Sequence, residues 1–253
     1  MSRKPLIAGN WKMNKTGVQA VEAASELKRL VEGKEDVEIM IAPTYTCLYQ
    51  VSQSLKGSSI SLGAQDLYWE KNGAFTGEIS SEMLVDAGCS HVIIGHSERR
   101  QYFNETDETV NRKIKAALDA GLKPVFCIGE TEKEREAEET FSVLDKQIRD
   151  GLKSFVSDDL ADIVIAYEPV WAIGTGKTAT KEQAQEAHRF VRSLIEKLFG
   201  KPLAENLRIL YGGSVKPENV RSIMEMPDVD GALVGGASLN PLTFSKLVFF
   251  NNN

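Results

Sequence analysis

Short apolar segments return along this 253-residue chain at intervals of roughly thirty residues, the length of one strand-plus-helix unit. They occupy residues 6–8, 37–41, 60–64, 91–94, 125–128, 163–167, 208–211 and 232–234. Ile163-Val164-Ile165-Ala166-Tyr167 is an unbroken apolar run, not an alternating one. That pattern marks a strand covered on both faces, as in a parallel sheet. Amphipathic stretches lie between. One covers residues 109–120 and stops at Gly121. Another opens at Thr180, where Thr180 and Gln183 suit a capping box, and runs to Phe199 before Gly200. Eight strands alternating with helices predict an α/β fold, a closed, eight-stranded parallel (β/α)8 barrel. The rival is an open, doubly wound sheet. No linker rich in Pro, Gly or Ser divides the chain, so residues 1–253 read as one domain.

Composition narrows the function classes. Net charge is −6, which disfavours nucleic acid or an anionic membrane as partner. An anionic small molecule stays possible, because a site can be locally positive on an acidic protein. Residues 1–5 lead into only a short apolar run, unlike a signal peptide, and no apolar stretch approaches a membrane span. Cys47, Cys89 and Cys127 are widely spaced, without a C-x-x-C. This argues against a disulfide framework or zinc knuckle and for a reducing, cytoplasmic setting. His91, His96 and His188 do not pair at metal-ligand spacing, so no metal is expected. The acidic run over residues 130–139, with Lys133 and Arg135 inside it, reads as the solvated first turns of a helix.

The chemistry-bearing residues cluster just after the strand candidates. In order they are Asn10 and Lys12, Gln65, His96 and Glu98, Glu168, Gly212-Gly213-Ser214, and Gly235-Gly236. In a barrel of this kind those loops carry the active site. Glu168 ends a strand, and Pro169-Val170-Trp171 is too stiff and apolar for an ordinary solvated turn. Glycines at 174 and 176 make the following tip pliable. A carboxylate beside such a segment suits a general base under a mobile lid. Two other motifs fail. Gly176-Lys177-Thr178 resembles the end of a Walker A loop, but the required earlier glycine position holds Trp171. Gly174-x-Gly176-x-x-Ala179 fits the loose dinucleotide fingerprint, but residues 169–173 separate it from the strand. The paired glycines of the last two loops let backbone N–H groups approach an anion. Phosphate sites in this architecture use the loops after strands seven and eight, so a phosphorylated substrate is expected.

Five motifs in order resemble the triosephosphate isomerase family, end to end. They are Ala8-Gly9-Asn10-Trp11-Lys12-Met13-Asn14, Ile94-Gly95-His96-Ser97-Glu98-Arg99-Arg100, Tyr167-Glu168-Pro169-Val170-Trp171-Ala172-Ile173-Gly174-Thr175-Gly176-Lys177, Tyr211-Gly212-Gly213-Ser214-Val215 and Leu233-Val234-Gly235-Gly236-Ala237-Ser238-Leu239. The tail at 249–253 lies outside every motif.

The resemblance implies a (β/α)8 TIM barrel that interconverts dihydroxyacetone phosphate and D-glyceraldehyde 3-phosphate without a cofactor, in glycolysis and gluconeogenesis. It implies Glu168 as base, His96 as a neutral electrophile and Lys12 as the cation facing substrate, with Asn10 in support. Glu98 would orient Lys12. Gly174, Gly213, Ser214, Gly235 and Gly236 would cradle phosphate. The implied lid runs from Pro169 to Ala179, with Pro169-Val170-Trp171 and Lys177-Thr178-Ala179 as hinges around Ala172, Ile173, Thr175 and Gly176. Tyr211 and Ser214 would hold it closed. The long loop 65–79 bears Tyr68, Trp69 and Phe75 and a turn signal at Asn72-Gly73. It resembles the family's dimer finger, with Phe75 and Thr76 reaching the second copy of a homodimer.

Two further readings remain open from the sequence. One is a barrel aldolase using Lys12 as a Schiff base. The other is a phosphosugar-binding protein without catalysis, since a fold alone does not fix function.

Overall fold

The computed structural model of the protein describes residues 3–172 and 179–252. Eight parallel strands close on themselves in chain order: β1 (Leu6–Asn10), β2 (Glu38–Ala42), β3 (Ile60–Ala64), β4 (His91–Ile94), β5 (Lys123–Ile128), β6 (Val164–Tyr167), β7 (Arg208–Tyr211) and β8 (Gly231–Val234). Leu6 of β1 lies opposite Glu38 on one side and Gly231 on the other, which closes the barrel and excludes the open sheet. The helices are α1 (Gly17–Leu30), α2 (Leu48–Leu55), α3 (Ser81–Asp86), α4 (Ser97–Tyr102), α5 (Asp107–Asp119), α6 (Glu132–Glu136), α7 (Thr140–Gly151), α8 (Lys181–Phe199), α9 (Lys201–Asn206), α10 (Val220–Met224) and α11 (Pro241–Val248). Among the described residues, no helix is long and apolar enough to cross a membrane.

The strands are apolar on both faces because each face meets a different core. Leu6, Ala8, Met40, Ile93, Val125, Val164, Leu210 and Leu233 pack inside the barrel. Ile7, Ile39, Val92, Phe126, Ile165 and Ile209 pack outward, in the core shared with the helices. Side chains alternate with a period of two along a strand. Extending the inward series one step past its last apolar member gives Asn10 after Ala8, Glu168 after Ala166, Gly212 after Leu210 and Gly235 after Leu233. All four line a single cavity at one mouth of the barrel. The pleat therefore aims the site.

Element boundaries differ slightly from the sequence expectation. β1 extends through Asn10, so that residue ends the strand and does not begin the loop. α5 begins at Asp107, not at residue 109, because Thr106 caps it. The Thr106 hydroxyl accepts the Thr109 N–H, and the Thr109 hydroxyl accepts the Thr106 N–H. α8 has the expected start and stop: Gln183 donates its N–H to Thr180 Oγ1 at 3.2 Å, and Gly200 follows Phe199 with φ +94°.

The loop over residues 65–79 is tied at its base and open at its tip. Tyr68 donates its N–H to Ile79 O at 2.8 Å. Its ring stacks on Trp69 and Phe75, with centroids 4.0 and 4.8 Å away. Phe75 and Thr76 are exposed.

Candidate active site

Lys12 has a strained backbone that its neighbours hold in place. Its φ of +51° places a side-chain-bearing residue in the left-handed region, which is costly without local support. Asn10 Oδ1 supplies that support by accepting the Lys12 N–H at 2.9 Å. Gln65 Nε2 donates to Lys12 O at 2.8 Å and to Ala42 O at 2.9 Å, pinning the loop to β2. The Lys12 ammonium then meets Glu98 Oε1 at 2.5 Å. Both side chains keep some solvent exposure, so this pair orients Lys12 more than it stabilises the fold.

His96 reaches the site through a turn that only a glycine makes easily. Gly95 has φ +74°, and a Cβ there would lie 3.2 Å from Cys127 O. His96 caps α4, its Nδ1 accepting the Glu98 N–H at 3.1 Å. An accepting Nδ1 leaves the proton on Nε2 and the imidazole neutral. Nε2 faces Glu168 Oε1 at 3.0 Å.

Glu168 is almost wholly buried, yet its carboxylate is well served. Oε2 accepts the Ser97 N–H at 3.0 Å, and Oε1 accepts the Ser97 hydroxyl at 3.4 Å and lies beside His96 Nε2. These donors offset the cost of burying a charge. Beneath it, burial and the Glu168 charge push the Cys127 thiol well above its ordinary range, so this cysteine is a packing residue.

The cavity has a volume of about 360 Å³ and is shared by Asn10, Lys12, His96, Glu98 and Glu168. The Gly212-Gly213-Ser214 and Gly235-Gly236 loops form its other side. A Cβ at Gly235 would come within 3.2 Å of Lys12 Cε, so the bare backbone lets the lysine pass alongside. Tyr211 is buried, and its hydroxyl faces the Ala179 N–H without a well-formed hydrogen bond. Of the expected lid, Pro169 to Ala172 and Ala179 are described, Val170–Ala172 forming a 3-10 turn. Ile173, Gly174, Thr175, Gly176, Lys177 and Thr178 lie outside the described residues. No cluster able to hold a metal ion occurs among the described residues.

Three contributors were not assigned from the sequence. Ser97 holds Glu168 through its backbone N–H, a group that no residue letter encodes. Glu130 was read as part of a solvated acidic run, but it is fully buried. Its carboxylate accepts from Tyr167 Oη at 3.1 Å and from Trp171 Nε1 at 2.8 Å, tying the start of the expected lid to β6. The available signal was its position two residues beyond the end of β5. The third is Lys216, a second cation lining the cavity.

A neutral N–H donor, a buried carboxylate and an ammonium converge on a cavity bordered by paired glycines. The set suits moving a proton between carbons beside a polarised oxygen, with an anionic group held at the glycine side. The comparisons agree. The family model for triosephosphate isomerase matches residues 5–251. A triosephosphate isomerase of Geobacter metallireducens is 63% identical over 246 residues, covering 97% of this chain and 98% of the relative. One from Geotalea uraniireducens is 60% identical over 249 residues, covering 98% and 99%. The crystal structure of triosephosphate isomerase from Bartonella henselae superposes with a TM-score of 0.89 at 38% identity, covering 99% of this chain and 100% of that one. On fold, site and sequence alike, this chain belongs to the triosephosphate isomerase family.

Proposed function

We propose that the protein interconverts dihydroxyacetone phosphate and D-glyceraldehyde 3-phosphate, in glycolysis and gluconeogenesis. The carrying observation is the 3.0 Å approach of His96 Nε2 to Glu168 Oε1 beside Lys12 in one cavity. Glu168 takes a proton from the carbon next to the substrate carbonyl. The C–H electron pair moves into the carbon–carbon bond, and charge develops on oxygen. His96 Nε2–H and the Lys12 ammonium stabilise that oxygen, and Asn10 keeps Lys12 in place. The hydroxyl proton on the deprotonated carbon's oxygen passes to the former carbonyl oxygen, with His96 Nε2 facing both, and Glu168 returns its proton to the neighbouring carbon, which closes the new carbonyl. One N–H cannot serve two acceptors equally well, so the arriving carbonyl displaces Glu168 from His96 and frees the base.

A positioned base contributes about 10²–10⁴-fold, or ~3–5 kcal/mol. The larger share must come from the fixed donors facing the developing oxyanion. The phosphate lies against Gly213, Ser214, Gly235 and Gly236, with Gly174 closing over it. Residues 169–179 act as the lid, and Tyr211 and Ser214 hold it shut, excluding water from the intermediate. Glu98 orients Lys12.

The protein acts as a homodimer, one domain per chain, in the cytoplasm, with no cofactor. Supporting the dimer, Met13, Tyr45 and Phe75 are exposed apolar side chains in the loops after three adjacent strands, with Thr76 beside Phe75.

A coupled assay in each direction tests the reaction. Turnover of both triose phosphates is expected, and absence of turnover in either direction overturns the proposal. Borohydride added with dihydroxyacetone phosphate separates the aldolase alternative. Lys12 remains unmodified under this proposal and becomes covalently trapped under that one.

A further inference from the structure

We propose that Lys216 is a substrate-capturing residue of this site, a second cation that draws the phosphate dianion into the cavity. The inference rests on the functional reading above and adds a binding residue to it.

Lys216 lines the same cavity as Lys12, Glu98, Glu168 and the paired-glycine loops. The charged side chains of that lining are two lysines and two carboxylates, since His96 is neutral. They are not equally available. The Lys12 ammonium is already 2.5 Å from Glu98. The Lys216 ammonium has no hydrogen bond or ion pair among the described residues. Without Lys216, a dianion would enter a mouth holding one engaged lysine against two carboxylates, on a chain of net charge −6. A cavity lined this way repels the ligand it must collect.

The backbone fixes where this cation sits. Lys216 donates its N–H to Asn219 Oδ1 at 2.8 Å, and Asn219 Nδ2 donates to Ser214 O at 3.0 Å. One asparagine thus braces both ends of the segment from Ser214 to Lys216. Pro217 follows and restricts the conformation of Lys216. The side chain is exposed, so its field reaches about 8 Å at physiological salt before screening removes it. That range covers the cavity mouth. Lys216 therefore serves arrival and retention of phosphate and not proton transfer, and its contribution depends on ionic strength.

The test is Lys216→Gln in the full chain, assayed for isomerisation across a salt series, with inorganic phosphate as a competitive probe. At low ionic strength kcat/KM falls about 3- to 10-fold while kcat stays within about 2-fold, and inhibition by inorganic phosphate weakens by a similar factor. Added salt closes the gap to wild type, and Lys216→Arg restores the low-salt value. Equal kcat/KM and equal phosphate inhibition at every salt concentration would overturn the proposal. So would a fall in kcat at unchanged KM, which marks a structural effect. Were wild type inactive on triose phosphates, the functional reading would fail, and phosphate binding to wild type and variant by calorimetry would still decide the role of Lys216.

Discussion

A methyl group at Gly212 would fall 2.8 Å from Cγ of Glu168 and 3.1 Å from Tyr167 O. The loop after β7 thus leaves room for the Glu168 side chain by having no side chain there. Gly212→Ala forces the carboxylate out of its place against Ser97. A displacement near 1 Å at a reacting group costs on the order of 100-fold in rate. The variant is expected to lose about 10- to 100-fold in kcat. Steady-state kinetics check this, with far-UV circular dichroism showing an intact fold.

Glu130 joins β6, the turn at Trp171 and Arg135 through one buried carboxylate, with Arg135 at 3.3 Å. Removing it takes the Glu130 carboxylate away from the Tyr167 hydroxyl and the Trp171 indole N–H. Glu130→Ala is expected to destabilise the protein by about 3 kcal/mol. Trp171→Phe removes the charge-assisted hydrogen bond to Glu130 and should cost ~1–2 kcal/mol. Urea titrations of the three proteins measure both.

His188 links stability to acid. It is fully buried, edge-on to Tyr167 with centroids 5.9 Å apart, and beside Tyr211 at 6.4 Å. Nδ1 donates to Asp228 O at 3.1 Å, and Arg192, Asp228 and Asp230 are the charged groups around it. Burial holds its pKa down, from 6.5 to about 4, against a smaller opposing effect of the Asp228 carbonyl. As pH falls from 6.5 the unfolded chain takes the proton first, so stability present above 6.5 is lost toward pH 4. The shift corresponds to ~3 kcal/mol. Asp66 works in the opposite sense. Burial raises its pKa to about 6, so its contribution is present at low pH and lost as pH rises through 6. His188→Phe isolates the histidine: between pH 6.5 and 4 its unfolding free energy should fall less steeply than that of wild type, by about one proton. Parallel curves would remove His188 from the acid response.

The proposed dimer has a mass readout. Sedimentation at micromolar protein should give twice the 27.9 kDa chain mass. Phe75→Glu places a charge at the exposed tip of the 65–79 loop and should shift the species to the single-chain mass with lower activity. A wild-type monomer of full activity contradicts the assembly.

The sequence carried the barrel clearly because parallel strands are buried on both faces, and Ile163 to Tyr167 has no competing pattern. The same run made Glu168 readable as a strand-end group, whereas Asn10 read as a loop residue because the apolar letters of β1 stop at Ala8. What stayed hidden was relational. Glu130 looked like its acidic neighbours, since composition cannot distinguish one buried carboxylate from a solvated run. Ser97 acts through an amide present in almost every residue. Lys216 follows Ser214-Val215 as an ordinary polar loop residue, and only the shared cavity gives it meaning.

The central claim is that the Glu168 carboxylate is the base and that its reach sets the rate. Glu168→Asp shortens the side chain by one methylene without changing its charge. The direct measurement is kcat of this variant beside its affinity for inorganic phosphate. The account predicts a loss of about 100-fold or more in kcat, with phosphate affinity within about 2-fold of wild type. Turnover near the wild-type rate would contradict it.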